Sequence, residues 1–261
     1  MPHPPSPALY GWLHEPGASR VLLLLEDLAP RYVRPAEPVD AARLAQAAGV
    51  LARLHAHWWD HPRLTSAALR APQGGLSRFC QALAPGVVRR RMREAAPAVA
   101  AFADRHRGDL GTAEARLLDG FAARWGERFA RRIRLGALTL CHGDFHPLGN
   151  VFFPHAGSAR PRVVDWPQHR RGLGPHDLAY CLLAADTPPD ERRARDLPLL
   201  RRYHAGLVRG GVRGYAWEQC EWDYRFSLLG NLFQAFLHGS FAWFVRTLRA
   251  ARAWNAEATL A

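Results

Sequence analysis

The sequence predicts an α+β fold in which a short strand-and-loop island is set between helical segments. Three observations point there. Apolar residues recur at helical spacing through most of the chain, the period changes to short strands between 138 and 165, and the loops there concentrate His, Asp, Gly and Pro. With 261 residues, 48% of them hydrophobic, the chain can bury a sizeable core and is too apolar for a disordered polymer.

Residues 8–13 and 20–25 read as a hairpin turning at Glu15-Pro16-Gly17-Ala18. The uninterrupted run Val21-Leu22-Leu23-Leu24-Leu25 predicts a strand covered on both faces. Two strands alone are marginally stable, so the hairpin needs further sheet or a helical body to lie on. Glu26-Asp27-Leu28-Ala29-Pro30 ends it. From Asp40 as N-cap, Leu44, Ala47, Ala48, Leu51, Leu54 and His55 mark a helix running into Trp58-Trp59. More helices are expected near 77–83, over 87–107 with a break at Pro97, and over 112–134, where Thr112 caps and Leu117, Phe121, Trp125 and Phe129 share a face. Strands follow at 138–141, 151–153 and 162–164. From Asp177 the chain is helical again, near 177–185, 197–209 and 217–252.

Composition excludes several chemistries. All 35 basic residues are Arg, which removes Schiff-base catalysis, a lysine general base and any phosphate loop ending in Gly-Lys-Ser/Thr. The net charge of +12 gathers at Arg89-Arg90-Arg91-Met92-Arg93, Arg131-Arg132-Ile133-Arg134 and Arg192-Arg193-Ala194-Arg195. No aromatic residues interleave within these runs, and Arg enrichment extends over the whole chain, so they read as solvated helix faces and not as a nucleic-acid surface. Cys80, Cys141, Cys181 and Cys220 lie about 40 to 60 residues apart, which predicts no disulfides and a reducing compartment. Met1 to Pro7 lack the basic-then-apolar pattern of a secretory leader, so a cytoplasmic location is expected. The long apolar stretch over 227–245 carries Asn231, Gln234 and His238 at helical spacing and reads as a buried amphipathic helix, not a membrane span.

The island holds Cys141-His142-Gly143-Asp144-Phe145-His146-Pro147-Leu148-Gly149-Asn150, then Val163-Val164-Asp165-Trp166. Two carboxylates and a carboxamide at strand ends supply a base for a hydroxyl and hard oxygen ligands for Mg²⁺, the combination that phosphoryl transfer requires.

These segments, with Gly174-Pro175-His176-Asp177-Leu178-Ala179-Tyr180, resemble the catalytic signature of the aminoglycoside phosphotransferase and choline-kinase-like small-molecule kinases, which share the protein-kinase fold. Leu23-Leu24-Leu25-Glu26-Asp27-Leu28 resembles their interlobe hinge, Leu51-Ala52-Arg53-Leu54-His55 their first large-lobe helix, and Tyr215-Ala216-Trp217 through Asp223-Tyr224-Arg225 the branch related to ecdysteroid kinases. The resemblance implies residues 1–30 as a residual small-lobe hairpin and hinge and 31–261 as a helical lobe whose catalytic island spans about 138–180. It implies Asp144 as the base, His142 as the buttress of its loop, His146 beside the transferring phosphoryl, Asn150 and Asp165 on Mg²⁺, and Asp177 as the loop's anchor. Backbone groups of Glu26 and Leu28 would contact the adenine of ATP, leaving their side chains replaceable. Arg170 and Arg171 read as a solvated loop or an attraction for anionic substrate.

Two departures stand out. Asn150 follows Asp144 by six positions, one more than in the family, so a residue must bulge, with Gly149 at positive φ as the natural place. Only about twenty residues precede the hinge, and the family's phosphate-binding Lys has no counterpart. A truncated chain is the favoured account, beside a degenerate homologue or an Arg substitute. A pseudokinase-like binding module without turnover is the alternative. A two-metal phosphoesterase is more remote, because Val151 and not His follows Asn150, and Cys141 reads as a core thiol and not a nucleophile. The expected partner is a small hydroxyl compound, neutral or apolar, with Trp58, Trp59, Trp217, Trp222, Phe241 and Trp243 lining a pocket or, more simply, the core.

Overall fold

A computed structural model of the protein describes residues 4–15, 17, 20–66, 69, 78–155, 160–185 and 187–261. Strands β1 (Leu9–Glu15) and β2 (Arg20–Leu25) pair antiparallel, Leu9 opposite Leu25 and Glu15 opposite Arg20. Pro16 and Ala18 of the expected turn, like Ser77, lie outside the described residues. The expected cover is missing from the hairpin: Val21 to Leu25 are 42–64% exposed, and no third strand joins the pair among the described residues. An unbroken apolar run puts leucines on both faces of the ribbon, and neither face meets the helical body.

β3 (Tyr32–Val33) follows and pairs with β5 (Val151–Pro154), which also pairs with β6 (Arg162–Val163). β4 (Thr139–Cys141) pairs separately with β7 (Arg170–Gly172). At two or three residues, β3 and β7 are too short to show a period in sequence.

Helix α1 (Ala41–His57) starts where Asp40 accepts from the Arg43 N–H at 2.7 Å. The expected helix near 77–83 is irregular over its described residues. α2 (Pro85–Arg105) runs through Pro97 without the expected break, because Val88, Met92, Ala95, Val99 and Phe102 bury one continuous face that outweighs a lost backbone bond. α3 (Thr112–Arg132) is capped by extended Gly111, so Thr112 is its first turn and not its cap. α4 (Pro175–Ala184) is buried at every position and lies between the two apolar clusters of the core. One cluster centres on Phe121, Trp125, Phe129 and Phe233, the other on Leu51, Leu182, Leu200 and Tyr203.

α5 (Arg192–Arg209) starts before its expected first residue and passes through Pro198. The expected helix over 217–252 is three: α6 (Trp217–Gly230), α7 (Leu232–His238) and α8 (Phe241–Ala253). Asn231 divides the first two, its amide donating to the Ser227 carbonyl at 2.9 Å while its own carbonyl accepts from the Trp243 indole. Left-handed Gly239 (φ +62°) and the Ser240 cap divide the last two. No helix among the described residues is long and apolar enough to cross a membrane.

The basic runs are only partly solvated. Arg132 is 4% exposed and forms a two-pronged pair with Asp223 at 2.6 Å, which also accepts from Tyr215 and Gln219. Arg192, 2% exposed, donates to the Leu182 carbonyl at 2.7 Å. The four cysteines are free and buried. Replacing Asp223 by Ala leaves the Arg132 guanidinium buried without its counter-charge, so urea unfolding should show a loss of about 3–5 kcal/mol, whereas Glu127→Ala, at an exposed pair with Arg89 and Arg131, should leave the urea midpoint nearly unchanged.

Candidate active site

β4 delivers the loop 142–150, and a buried carboxylate fixes where it begins. Asp177, from the first turn of α4, accepts from the His142 N–H at 2.6 Å, the Gly143 N–H at 3.0 Å and His55 Nε2 at 3.2 Å. Burial alone would raise its pKa, but the His55 hydrogen bond and the positive field of His55 and Arg170 hold it well below the carboxylate range. His55 is held in turn by the Tyr203 hydroxyl at 2.8 Å. Gly143 has φ +90°, and a Cβ there would lie 2.0 Å from the Gln168 carbonyl, so the loop's first turn requires glycine.

His142 joins this loop to the next. Its Nδ1 accepts from the Asp144 N–H at 3.2 Å, so its proton is on Nε2, which donates to the Val164 carbonyl at 2.8 Å. Burial lowers the pKa of His142, against the opposing pull of Asp177, Asp144 and Asp165, and keeps the ring neutral. Asp165 follows Val164 at φ +63°, a left-handed conformation that is costly for a residue with a Cβ and turns its exposed carboxylate out of the strand.

The extra residue between Asp144 and Asn150 is absorbed differently from the expected bulge. Gly149 has no positive φ; instead the His146 carbonyl accepts from both the Gly149 N–H at 3.3 Å and the Asn150 N–H at 2.8 Å, closing a helical turn. That turn returns the Asn150 amide to Asp144, where it donates to the backbone carbonyl at 2.8 Å and to the carboxylate at 3.3 Å. The Val164 N–H donates to the Asn150 carbonyl at 3.0 Å, so Asp144, Asn150 and Asp165 converge at one end of the β5–β6 pair. The Asp144 and Asp165 carboxylates and the Asn150 side-chain oxygen are hard donors of the kind a divalent cation takes, and the Asn150 nitrogen is the atom spent on Asp144. His55, Cys141 and Asp177 also bring ligand atoms within 4.8 Å of one another, but all are buried, and burial pushes the Cys141 thiol well up while its Sγ donates to the Leu173 carbonyl. This is a closed polar knot with no nucleophile.

His146 contacts the Tyr180 ring, and its Nδ1 accepts from the Leu148 N–H. Burial lowers its pKa despite the nearby Asp144 carboxylate. Tyr180 is the residue that motif reading missed. Its hydroxyl accepts from the Gln234 amide at 3.2 Å and lies in the field of the Asp144 carboxylate, and Trp243 packs on its ring. Burial and Asp144 together push the phenol far above its usual range. The signal was present, for Tyr180 lies three positions after Asp177 on α4. Among the six aromatics expected to line a pocket, Trp243 alone packs on Tyr180; Trp58 borders a separate cleft of about 410 Å³ with Trp166, and Trp222 another with Arg128 and Leu135.

The first strands enter the site otherwise than expected. The Glu26 N–H donates to the Ala8 carbonyl at 2.8 Å, and the Leu28 carbonyl accepts from Arg31 and Tyr32. The Glu26 side chain is 8% exposed and joins the Ala8 N–H, Arg31 and the Arg162 guanidinium of β6. Arg170 is likewise no solvated loop residue, being fully buried.

Set against families of known proteins, residues 2–219 match the phosphotransferase enzyme family (APH). The chain belongs to this family. No curated protein matches it individually. Membership supports a kinase-like enzyme that transfers phosphoryl groups to small molecules. In this phosphotransferase the matched residues include the whole loop, Asp165, Asp177 and Tyr180, whereas Gln234 and Trp243 lie beyond them.

Because Asp177 has a pKa below its unfolded value of 3.8, its contribution to stability is complete above that pH and drains away as the pH falls toward the folded value. The Asp177→Asn variant should be less stable at neutral pH and show a flatter loss of stability below about pH 4 than the parent, as measured by urea midpoints across the acid range.

Proposed function

We propose that the protein transfers a phosphoryl group from ATP, with Mg²⁺, to the hydroxyl of a small neutral or apolar compound. The observation that carries this reading is the return of Asn150 onto Asp144 across the six-position loop, beside Asp165. In this reading Asp144 accepts the hydroxyl proton as the new P–O bond forms. Asn150 and Asp165 offer their oxygens to Mg²⁺, which on binding would neutralise charge on the phosphates. His142 sets the backbone of Asp144 against Asp165, Asp177 anchors the loop, and His146, with its proton on Nε2, faces the Asp144 side as a donor. Tyr180 and Trp243 give the acceptor side an aromatic wall, which suits a neutral or apolar alcohol better than a polycation. The buried free cysteines support a reducing, cytoplasmic setting.

A second reading, a binding module without turnover, is favoured by one observation: the chain holds no Lys for the phosphates, and the Glu26 N–H and Leu28 carbonyl are already engaged inside the protein. ADP formation against a panel of hydroxyl compounds separates the two. Turnover that requires Mg²⁺ and falls by about 10²–10⁴-fold in Asp144→Ala supports the kinase. Nucleotide binding without turnover in the parent supports the module, and neither binding nor turnover removes both.

Tyr180→Phe deletes one hydroxyl from a buried position without changing its shape. It should lower kcat by about tenfold with KM for ATP little changed, in keeping with the loss of a polar hydroxyl beside the Asp144 carboxylate. Equal kcat in the variant would remove Tyr180 from the positioning of Asp144.

A further inference from the structure

Arg170 enters the core from β7 and reaches the start of the catalytic loop at Gly143. Its guanidinium is fully buried, and only Nη1 is engaged, at 3.4 Å from the Gly143 carbonyl and 3.3 Å from the Gln168 carbonyl. Nε and Nη2 have no partner. Arg170 lines a small cavity of about 10 Å³, room for the centre of one water-sized guest. Three more of its lining residues carry buried polar atoms without partners: the Trp125 indole N–H, His176 Nε2 and Ser227 Oγ. Each of these residues is at most 5% exposed, and Phe129 and Phe226 close the apolar sides.

No carboxylate lines this cavity. The nearest acidic group in the network, Asp177, is turned to His55 and the two loop amides. A buried guanidinium with unused N–H groups carries a large desolvation cost unless a counter-charge meets it. Convergent donors on a cationic centre, in a space for one particle, fit a monatomic anion. A water brings no counter-charge to the guanidinium. Phosphate and sulfate are too large for the space.

We propose that this cavity is a halide site that binds one chloride ion between Arg170, Trp125, Ser227 and His176. The ion accepts from Nε–H and Nη2–H of Arg170, from the indole N–H and from the Ser227 hydroxyl, with no proton transferred. It holds the guanidinium against the carbonyls of Gly143 and Gln168, the point at which a Cβ on residue 143 would collide with both Gln168 and Arg170. The halide therefore supports the loop from its buried side.

The test uses the whole chain and sodium salts of chloride, bromide, gluconate and sulfate at equal ionic strength. Thermal midpoints should rise with chloride or bromide in a saturable manner and stay flat in gluconate and sulfate. Trp125→Phe and Ser227→Ala each remove one donor while keeping the core filled, and each should weaken the apparent halide affinity by about tenfold. Crystals grown in bromide should show an anomalous peak within hydrogen-bond reach of Arg170 Nε and Nη2. A water in place of that peak, or midpoints that follow ionic strength whatever the anion, would overturn the proposal. These readouts need no nucleotide and no turnover, so they stand or fall apart from the phosphotransfer reading.

Discussion

The Asp177 carboxylate is the constraint on which the site depends. It is fully buried, and its two oxygens are used by two consecutive backbone N–H groups and one imidazole. A buried carboxylate of this kind is stable only with all its partners in place, so helix α4, helix α1 and the start of the 142–150 loop are fixed relative to one another by a single group. Gly174 shows how close the approach is. A Cβ there would lie 2.4 Å from the Tyr203 hydroxyl and 3.0 Å from His55. Every later feature of the loop, from the sharp turn at Gly143 to the position of Asp144, inherits its placement from this anchor.

From the anchor the chemistry is assembled by neutral hydrogen bonds. His142 spans from the Asp144 N–H to the Val164 carbonyl and so converts two separate strand ends into one surface. The turn closed on the His146 carbonyl uses up the additional residue without a left-handed glycine. Within the site, backbone strain falls on Asp165, whose φ of +63° presents the second carboxylate outward. Groups held by backbone geometry in this way need little rearrangement when charge develops beside them.

The arginines do a different task from the one their clustering suggests. Arg132, Arg170 and Arg192 point inward, where they satisfy carbonyls and, for Arg132, a carboxylate with additional hydroxyl and amide donors. A guanidinium can do this because its planar donor fork meets several acceptors at once, which the compact ammonium of lysine cannot match. Burial of these three arginines does not lower the surface charge, because Asp177, Asp196 and Asp223 are buried with them.

Local sequence alone determined the helical faces of α1 and α3, the existence of the β1–β2 hairpin and the residues gathered in the catalytic loop, because apolar period, cap chemistry and motif spacing are written within a few neighbouring positions. It also placed Asp177 one helical turn before Tyr180, although only the packing of α7 and α8 against α4 brings Gln234 to the Tyr180 hydroxyl and Trp243 to its ring. Tertiary structure decided the rest. The continuity of α2 through Pro97, the splitting of 217–252 into three helices, the burial of Arg170 and the exposed leucines of β2 all depend on what lies across from each segment, and a residue's own neighbours in the chain carry no record of that.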